Sequence, residues 1–131
     1  MALRPLPITT AYDQQYSCPT CDREQLDRHH ELDEHTWTCR TCDGPVLIKL
    51  NDGAGNTALV VRNQAQKLRA AQHFVYLEND LATVHAVLLS EKCLKGGQWH
   101  LRLQGYGSRD VDPRHYFNCL YTCLLLPLTT P

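Results

Sequence analysis

Two short stretches of the chain, separated by 21 positions, share one pattern. The first is Tyr16-Ser17-Cys18-Pro19-Thr20-Cys21-Asp22, and the second is Trp37-Thr38-Cys39-Arg40-Thr41-Cys42-Asp43. Each stretch reads aromatic-x-Cys-x-Thr-Cys-Asp, and Gly44 follows the second, where a positive φ is often required. Two C-x-x-C motifs separated by 17 residues have the spacing of a four-cysteine zinc site. The repeat therefore predicts two equivalent turns that bind one metal ion together.

The predicted ligands of this ion are Cys18, Cys21, Cys39 and Cys42. Four thiolates complete a tetrahedron around Zn²⁺ at about 2.3 Å and leave no position for water, so we expect a structural ion. Iron fits the same four thiolates. A redox pair would lie at the start of a helix, whereas the flanking Tyr16 and Trp37 favour strands. Disulfides would need an oxidising compartment, which nothing in the sequence indicates.

With these motifs, residues 14–50 resemble the zinc-ribbon class, whose metal is held by two rubredoxin-type knuckles. The resemblance implies a structural Zn²⁺ bound by the four cysteines. It does not imply one function, because such ribbons serve in nucleic-acid machinery, in enzymes and as protein-docking modules. We expect Tyr16 and Trp37 to pack together beside the metal and to shape a binding surface.

Length and composition are those of a small globular protein. The chain has 131 residues, 43% of them hydrophobic, and a formal net charge of -1. We predict a zinc ribbon in residues 1–50 and a small β-rich domain in residues 51–131. No apolar run approaches the roughly 20 residues that span a bilayer, and the first residues lack an apolar signal core. These features predict a cytoplasmic location without membrane association.

Strand-like runs and turn signals alternate after residue 45, so the predicted fold class is mainly β. One short helix is expected over Gln64–Gln72, with Asn63 as its cap. The number and spacing of the strands favour a small barrel or sandwich of the SH3-like or OB-like kind. The predicted strands are Val46–Leu50, Thr57–Val61, Phe74–Leu77, Thr83–Leu89, Trp99–Leu103 and Tyr116–Leu125.

Charge divides the chain into two unequal parts. Residues 1–45 contain four basic and eight acidic residues, whereas residues 46–131 contain nine basic and six acidic ones. Four thiolates and one Zn²⁺ make the first part still more acidic, so it would repel a phosphate backbone. The acidic loop of this first part, Asp22–His35, is interpreted either as a solvated surface or as a docking surface for a basic partner.

The favoured function is non-enzymatic: a zinc-dependent binding or adaptor protein that recognises a protein partner through a zinc-built hairpin. The alternative is a nucleic-acid-binding regulator, because cations alternate with aromatic residues in the second part. Tyr16 and Trp37 belong to the predicted binding surface of the first part. The predicted surface of the second part comprises Lys92, Lys95, Trp99, Arg102, Arg109 and Arg114.

Three further cysteines, Cys93, Cys119 and Cys123, lie outside the repeat. Free cysteine is usually buried, so we interpret them as structural thiols. A third hypothesis is an enzyme with a cysteine–histidine centre, for which Cys119 with His115 or His100 is the candidate pair. The sequence contains no phosphate-binding glycine loop, G-x-S-x-G or H-E-x-x-H motif, so no catalytic residue is predicted.

Overall fold

A computed structural model describes residues 8–77, 80–94 and 96–121. It is mainly β, as predicted, and the helical content of these residues is a single 3-10 turn at Ala65–Lys67. The strands are β1 (Asp13–Ser17), β2 (Leu32–Asp33), β3 (Thr38–Cys39), β4 (Leu47–Asn51), β5 (Thr57–Gln64), β6 (Phe74–Tyr76), β7 (His85–Lys92), β8 (Trp99–Leu103), β9 (Gly107–Val111) and β10 (Tyr116–Leu120).

Eight of these strands form one antiparallel sheet in the order β1-β4-β5-β10-β6-β7-β8-β9, and β2 pairs with β3 in a separate hairpin. The prediction of a closed barrel is wrong, because β1 and β9 are the two edges of an open sheet in the described part of the chain. The physical reason is that β4 pairs with both β1 and β5, so the sheet continues across residue 50. The division into domains at residue 50 stays a prediction.

Two buried clusters lie on opposite faces of the central strands. Consecutive strand residues point to opposite faces, and Val60 belongs to one cluster while Val61 packs against the other. The first cluster includes Cys18, Cys39 and Trp37, so the cysteine-rich segment covers that face. The second cluster covers the other face and includes residues of β7, β8 and β9 and the 3-10 turn.

The predicted helix over Gln64–Gln72 is reduced to its first turn. The backbone N–H of Ala65 donates to the carbonyl of His115, and that of Gln66 donates to Pro113. Leu68 then has extended backbone angles, and Asn63, the predicted cap, lies within β5. Bonding to the loop before β10 satisfies the first N–H groups of the turn, and the extended backbone at Leu68 ends it after three residues.

One strand, β9, was not predicted. Gly105 and Gly107 are typical of a turn, so residues 105–113 were interpreted as a loop, yet β9 begins at Gly107 and pairs with β8. Both glycines have positive φ, 77° and 116°, and they form the tight turn between these strands. The predicted strand Tyr116–Leu125 is present as β10 up to Leu120, and its last residues lie outside the described part.

Candidate metal centre

The two C-x-x-C stretches fold into matching turns. The N–H of Cys18 donates to the carbonyl of Arg23 at 2.8 Å, and the N–H of Cys39 donates to Gly44 at 2.8 Å. Each turn is closed by a second bond to the carbonyl of its first cysteine, from Arg23 and Asp43 respectively. The duplication seen in the sequence is therefore a duplication of backbone geometry.

The repeated aspartates provide the sharp reversal of each turn. Asp22 and Asp43 have left-handed φ values of 55° and 60°, a conformation that Asp adopts more readily than most residues. The expectation of a positive φ at Gly44 is wrong, because the reversal occurs one residue earlier. Gly44 is instead required for space: a Cβ there would lie 2.9 Å from Thr20 Oγ1 and 3.2 Å from Cys42 Sγ.

This close approach yields a prediction for Gly44→Ala. The added methyl group would force Thr20 away from the second turn, so we expect the free energy of unfolding of the zinc-loaded protein to fall by about 1–3 kcal/mol, the usual cost of overpacking. Urea denaturation measures the change. The double variant Thr20→Ala/Gly44→Ala should recover part of the loss, since the nearest clashing atom is then removed. A Gly44→Ala protein as stable as wild type would contradict this role for Gly44.

The turns bring the four thiols together. All four Sγ atoms lie within 4.8 Å of one another. Cys18 Sγ is 3.4 Å from Cys42 Sγ, and Cys21 Sγ is 4.0 Å from Cys39 Sγ. Sulfurs at about 2.3 Å from a tetrahedral ion are about 3.8 Å apart, so these separations bracket the required one. The four cysteines could therefore hold a metal ion such as zinc.

Backbone amides support the negative charge that such a centre carries. The N–H groups of Cys21 and Gly44 each lie 3.4 Å from a thiol, that of Cys18 and of Cys42 respectively. Burial acts against ionisation of Cys39, but hydrogen bonds from the amides of Cys42 and Thr41 and from neighbouring thiols bring its pKa below the usual value. Burial raises the pKa of Cys18, so an incoming ion must displace a proton there.

Tyr16 and Trp37 pack against each other next to these turns, as expected. Their rings are stacked with centroids 6.3 Å apart and planes at 19°, and both side chains are buried in the same cluster as Cys18 and Cys39. Trp37 has a left-handed φ of 57°, which is uncommon for a bulky residue. Both rings are buried and support the centre; their part in a binding surface stays a prediction.

A buried ion pair that no sequence pattern indicated joins this segment to the sheet. The Arg62 guanidinium lies 4.2 Å from the centroid of the Trp37 ring. It donates to Asp13 at 2.8 Å and to Asn118 Oδ1 at 2.8 Å, and the Tyr16 hydroxyl donates to the same Asp13 carboxylate. Arg62 had no recognisable motif, because its partners Asp13, Trp37 and Asn118 lie far from it in the sequence.

The sheet register places described cations of the predicted surface of the second part on both faces of the sheet. Directly paired residues share a face of a sheet, so Lys92, paired with Trp99, and Arg109, paired with Leu101, lie on the face of the second cluster. Arg102 alternates with Leu101 and therefore points to the other face. Trp99 packs against the core and donates to Ser90.

Arg114, another residue of this predicted surface, is held by a buried carboxylate. Its guanidinium contacts both oxygens of Asp112 at 3.1 Å, and this pairing lowers the pKa of Asp112. Lys95 lies outside the described residues, so its relation to the other cations is open. Nucleic-acid binding by this part of the chain stays a prediction.

Of the remaining cysteines, Cys119 is buried as predicted, and its thiol donates to the carbonyl of Phe117. Burial raises its pKa to about 11. His115 packs against Phe117, whereas His100 contacts Asp110. Cys93 is only half-buried, and burial together with Asp110 raises its pKa. Cys123 lies outside the described residues.

Comparison with protein-family models, with curated proteins and with solved structures found no match for this chain. Among residues 8–77, 80–94 and 96–121, no helix is long and apolar enough to span a membrane.

Proposed function

We propose that Cys18, Cys21, Cys39 and Cys42 bind a structural Zn²⁺ in a ribbon-like module, and that the chain is a non-enzymatic, zinc-dependent binding protein for a basic protein partner. The observation that carries this proposal is the convergence of four thiols from two repeated turns. Four sulfur ligands leave Zn²⁺ no open position for a substrate or water. The ion would then act by fixing the chain around it.

The bound ion would hold one segment in position. This segment is the acidic hairpin, defined as residues 22–43. Within it β2 pairs with β3, so Leu32 lies opposite the ligand Cys39. Leu32 is fully buried, and the N–H of Arg40 donates to the carbonyl of Glu31. Because Cys39 belongs both to β3 and to the metal centre, binding the ion would position the whole hairpin.

The charge of the acidic hairpin supports a basic partner. The acidic hairpin holds seven acidic residues against three arginines. Arg23 is paired with Glu31 and Arg28 with Glu34, and Arg40 donates to the carbonyl of Leu32. A zinc–tetrathiolate unit adds a net charge of about -2. Such a surface favours a lysine- and arginine-rich protein segment and repels nucleic acid. The carboxylates that remain exposed are Asp22, Glu24, Asp27 and Asp43.

The test uses the zinc-loaded chain as bait, cross-linking with mass spectrometry to find which residues contact a captured protein, and affinity measurement with that purified partner. In Asp22→Asn/Asp43→Asn we expect affinity to fall about fivefold, since an exposed ion pair contributes about 0.2–1 kcal/mol. Asparagine tolerates the left-handed backbone of both positions. The matched control is Asp52→Asn/Asp80→Asn, which removes two charges elsewhere and should bind as wild type does.

Two outcomes would count against this function. Cross-links that avoid the acidic hairpin, with equal affinity for both double variants, would exclude the hairpin as the binding surface. Capture of RNA or DNA, with affinity that falls steeply with salt and is lost in Arg102→Glu, would favour the nucleic-acid alternative instead.

A further inference from the structure

A second group of metal-ligating side chains lies on the sheet, apart from the four cysteines. One donor atom from each of Cys93, His100 and Asp110 lies within 4.8 Å of the other two. His100 Nδ1 is 2.5 Å from Asp110 Oδ1, and Cys93 Sγ lies within 4.8 Å of a donor atom of each. Three different ligating groups, from the end of β7, from β8 and from β9, therefore converge on one point.

The sheet register explains this convergence and adds a fourth residue. His100 in β8 is paired directly with Glu91 in β7 and with Asp110 in β9, so the three side chains form a row across one face. Cys93 is two residues beyond Glu91, and its N–H donates to Gln98 at the end of the same hairpin. It therefore continues the face on which Glu91 points.

We propose that Cys93, His100 and Asp110 form a second, solvent-facing site for Zn²⁺, with Glu91 or water as the fourth ligand. A thiolate, an imidazole and a carboxylate are the three ligand types that zinc prefers. The donor atoms of a tetrahedral site are about 3.3–3.8 Å apart, so bound metal would replace the direct His100–Asp110 hydrogen bond with bonds to the ion. Rotation of exposed side chains accomplishes this, since the strands already hold their backbones side by side.

Exposure distinguishes this site from the four-cysteine centre. The side chains of His100 and Asp110 are 32% and 48% exposed, whereas Cys18 and Cys39 are fully buried. Three protein ligands with an open fourth position are typical of zinc that exchanges ligands. The second ion should therefore bind more weakly and exchange faster than the first.

The same residues also resemble a cysteine–histidine–aspartate nucleophile, but the contacts favour metal. In such a triad the thiol contacts the imidazole, and the carboxylate orients the imidazole from the other side. Here Cys93 Sγ lies within 4.8 Å of both the imidazole and the carboxylate, so the three groups surround one point instead of forming a relay. Glu91 on the neighbouring strand adds a second carboxylate, which suits a cation better than a thiolate.

The experiment titrates Zn²⁺ into the full-length zinc-loaded chain at buffered micromolar free Zn²⁺ and counts bound ions by elemental analysis. We expect the wild type to rise from one to two ions per chain, and His100→Gln and Asp110→Asn to stay at one. His29→Ala, which removes an exposed histidine of the acidic hairpin, should still reach two. Both cluster variants change exposed side chains, so they should fold normally.

A residue-specific readout keeps this result separate from the four-cysteine centre. Alkylation of Cys93, followed by peptide mass spectrometry, should slow at least tenfold when Zn²⁺ is added, and the slowing should vanish in Asp110→Asn. A wild type that binds no additional ion would overturn the site, as would retention of the second ion in both cluster variants. Rapid alkylation that is unaffected by Zn²⁺ would indicate a free thiol instead.

Discussion

Removal of the metal from the four-cysteine centre is expected to unfold the cysteine-rich segment, residues 16–46, while β7, β8 and β9 stay folded. Structural zinc contributes about 10–16 kcal/mol of apparent folding free energy in small peptides, as much as the whole stability of a typical domain. Regular secondary structure holds little of the segment, since β2 and β3 are two residues each, and its buried side chains belong to the cluster that contains Cys18 and Cys39. Four buried or half-buried thiols without an ion cannot replace that free energy.

The extent of unfolding follows from the two buried clusters. The cluster that includes Cys18 and Cys39 also contains Ile48, Leu50 and Val60, so β4 and β5 should lose part of their protection. The opposite cluster contains none of the four ligands. Its strands should remain protected because their apolar contacts do not pass through the metal centre.

Hydrogen exchange measured by mass spectrometry, with and without a zinc chelator, reports this pattern. Cys39→Ser should show the same loss of protection without chelator, since three thiolates bind the ion less tightly. Cys93→Ser is the matched control, because it removes a cysteine outside the repeat and should leave residues 16–46 protected. Unchanged protection of the amides of Cys18 and Cys39 after chelation would refute a structural ion.

The second large effect is expected for Arg62→Met, which breaks the buried ion pair with Asp13. The Arg62 side chain is 0% exposed and that of Asp13 only 3%. Removing one partner of a buried pair leaves an uncompensated charge and costs about 3–5 kcal/mol. The variant also loses the contact of the guanidinium with the Trp37 ring, which attaches the cysteine-rich segment to the sheet.

Chemical denaturation of the zinc-loaded protein measures this loss. Arg102→Met is the matched control: it removes an exposed arginine of the same sheet and should change the free energy of unfolding by less than about 0.5 kcal/mol. The double variant Asp13→Asn/Arg62→Met should recover part of the stability, since the unpaired carboxylate is gone and the amide oxygen that replaces it can still accept from the Tyr16 hydroxyl. If Arg62→Met costs no more than the control, the ion pair does not stabilise the fold.

Local patterns in the sequence were sufficient to predict the cluster of four cysteines. A C-x-x-C turn is closed by its own backbone, so the spacing of four cysteines predicted four thiols that the structure brings together. The Asp that follows each C-x-x-C motif was visible in the sequence as well. The positive φ, however, was predicted at Gly44 and is found at Asp43. The strands of the second part were mostly predicted, because alternation of apolar residues is also a local property.

Long-range pairing was not predictable in this way. The chain places its last described strand, β10, between β5 and β6, and nothing in the composition of Tyr116–Leu120 specifies those neighbours. This insertion gives β10 a neighbour on each side and places Arg62 beside Asn118, to which its guanidinium donates. Lys92, Arg102 and Arg109 looked like one basic set until the register separated them between faces.

By itself, the sequence determined that the chain is mainly β and that Cys18, Cys21, Cys39 and Cys42 converge, because strand patterns and C-x-x-C turns are local and the spacing of two such turns is typical of a four-cysteine site. Tertiary structure alone decided the buried Arg62–Asp13 pair and the row of Glu91, His100 and Asp110. These depend on which strands become neighbours and in which register. A shift of one residue would move every side chain to the opposite face.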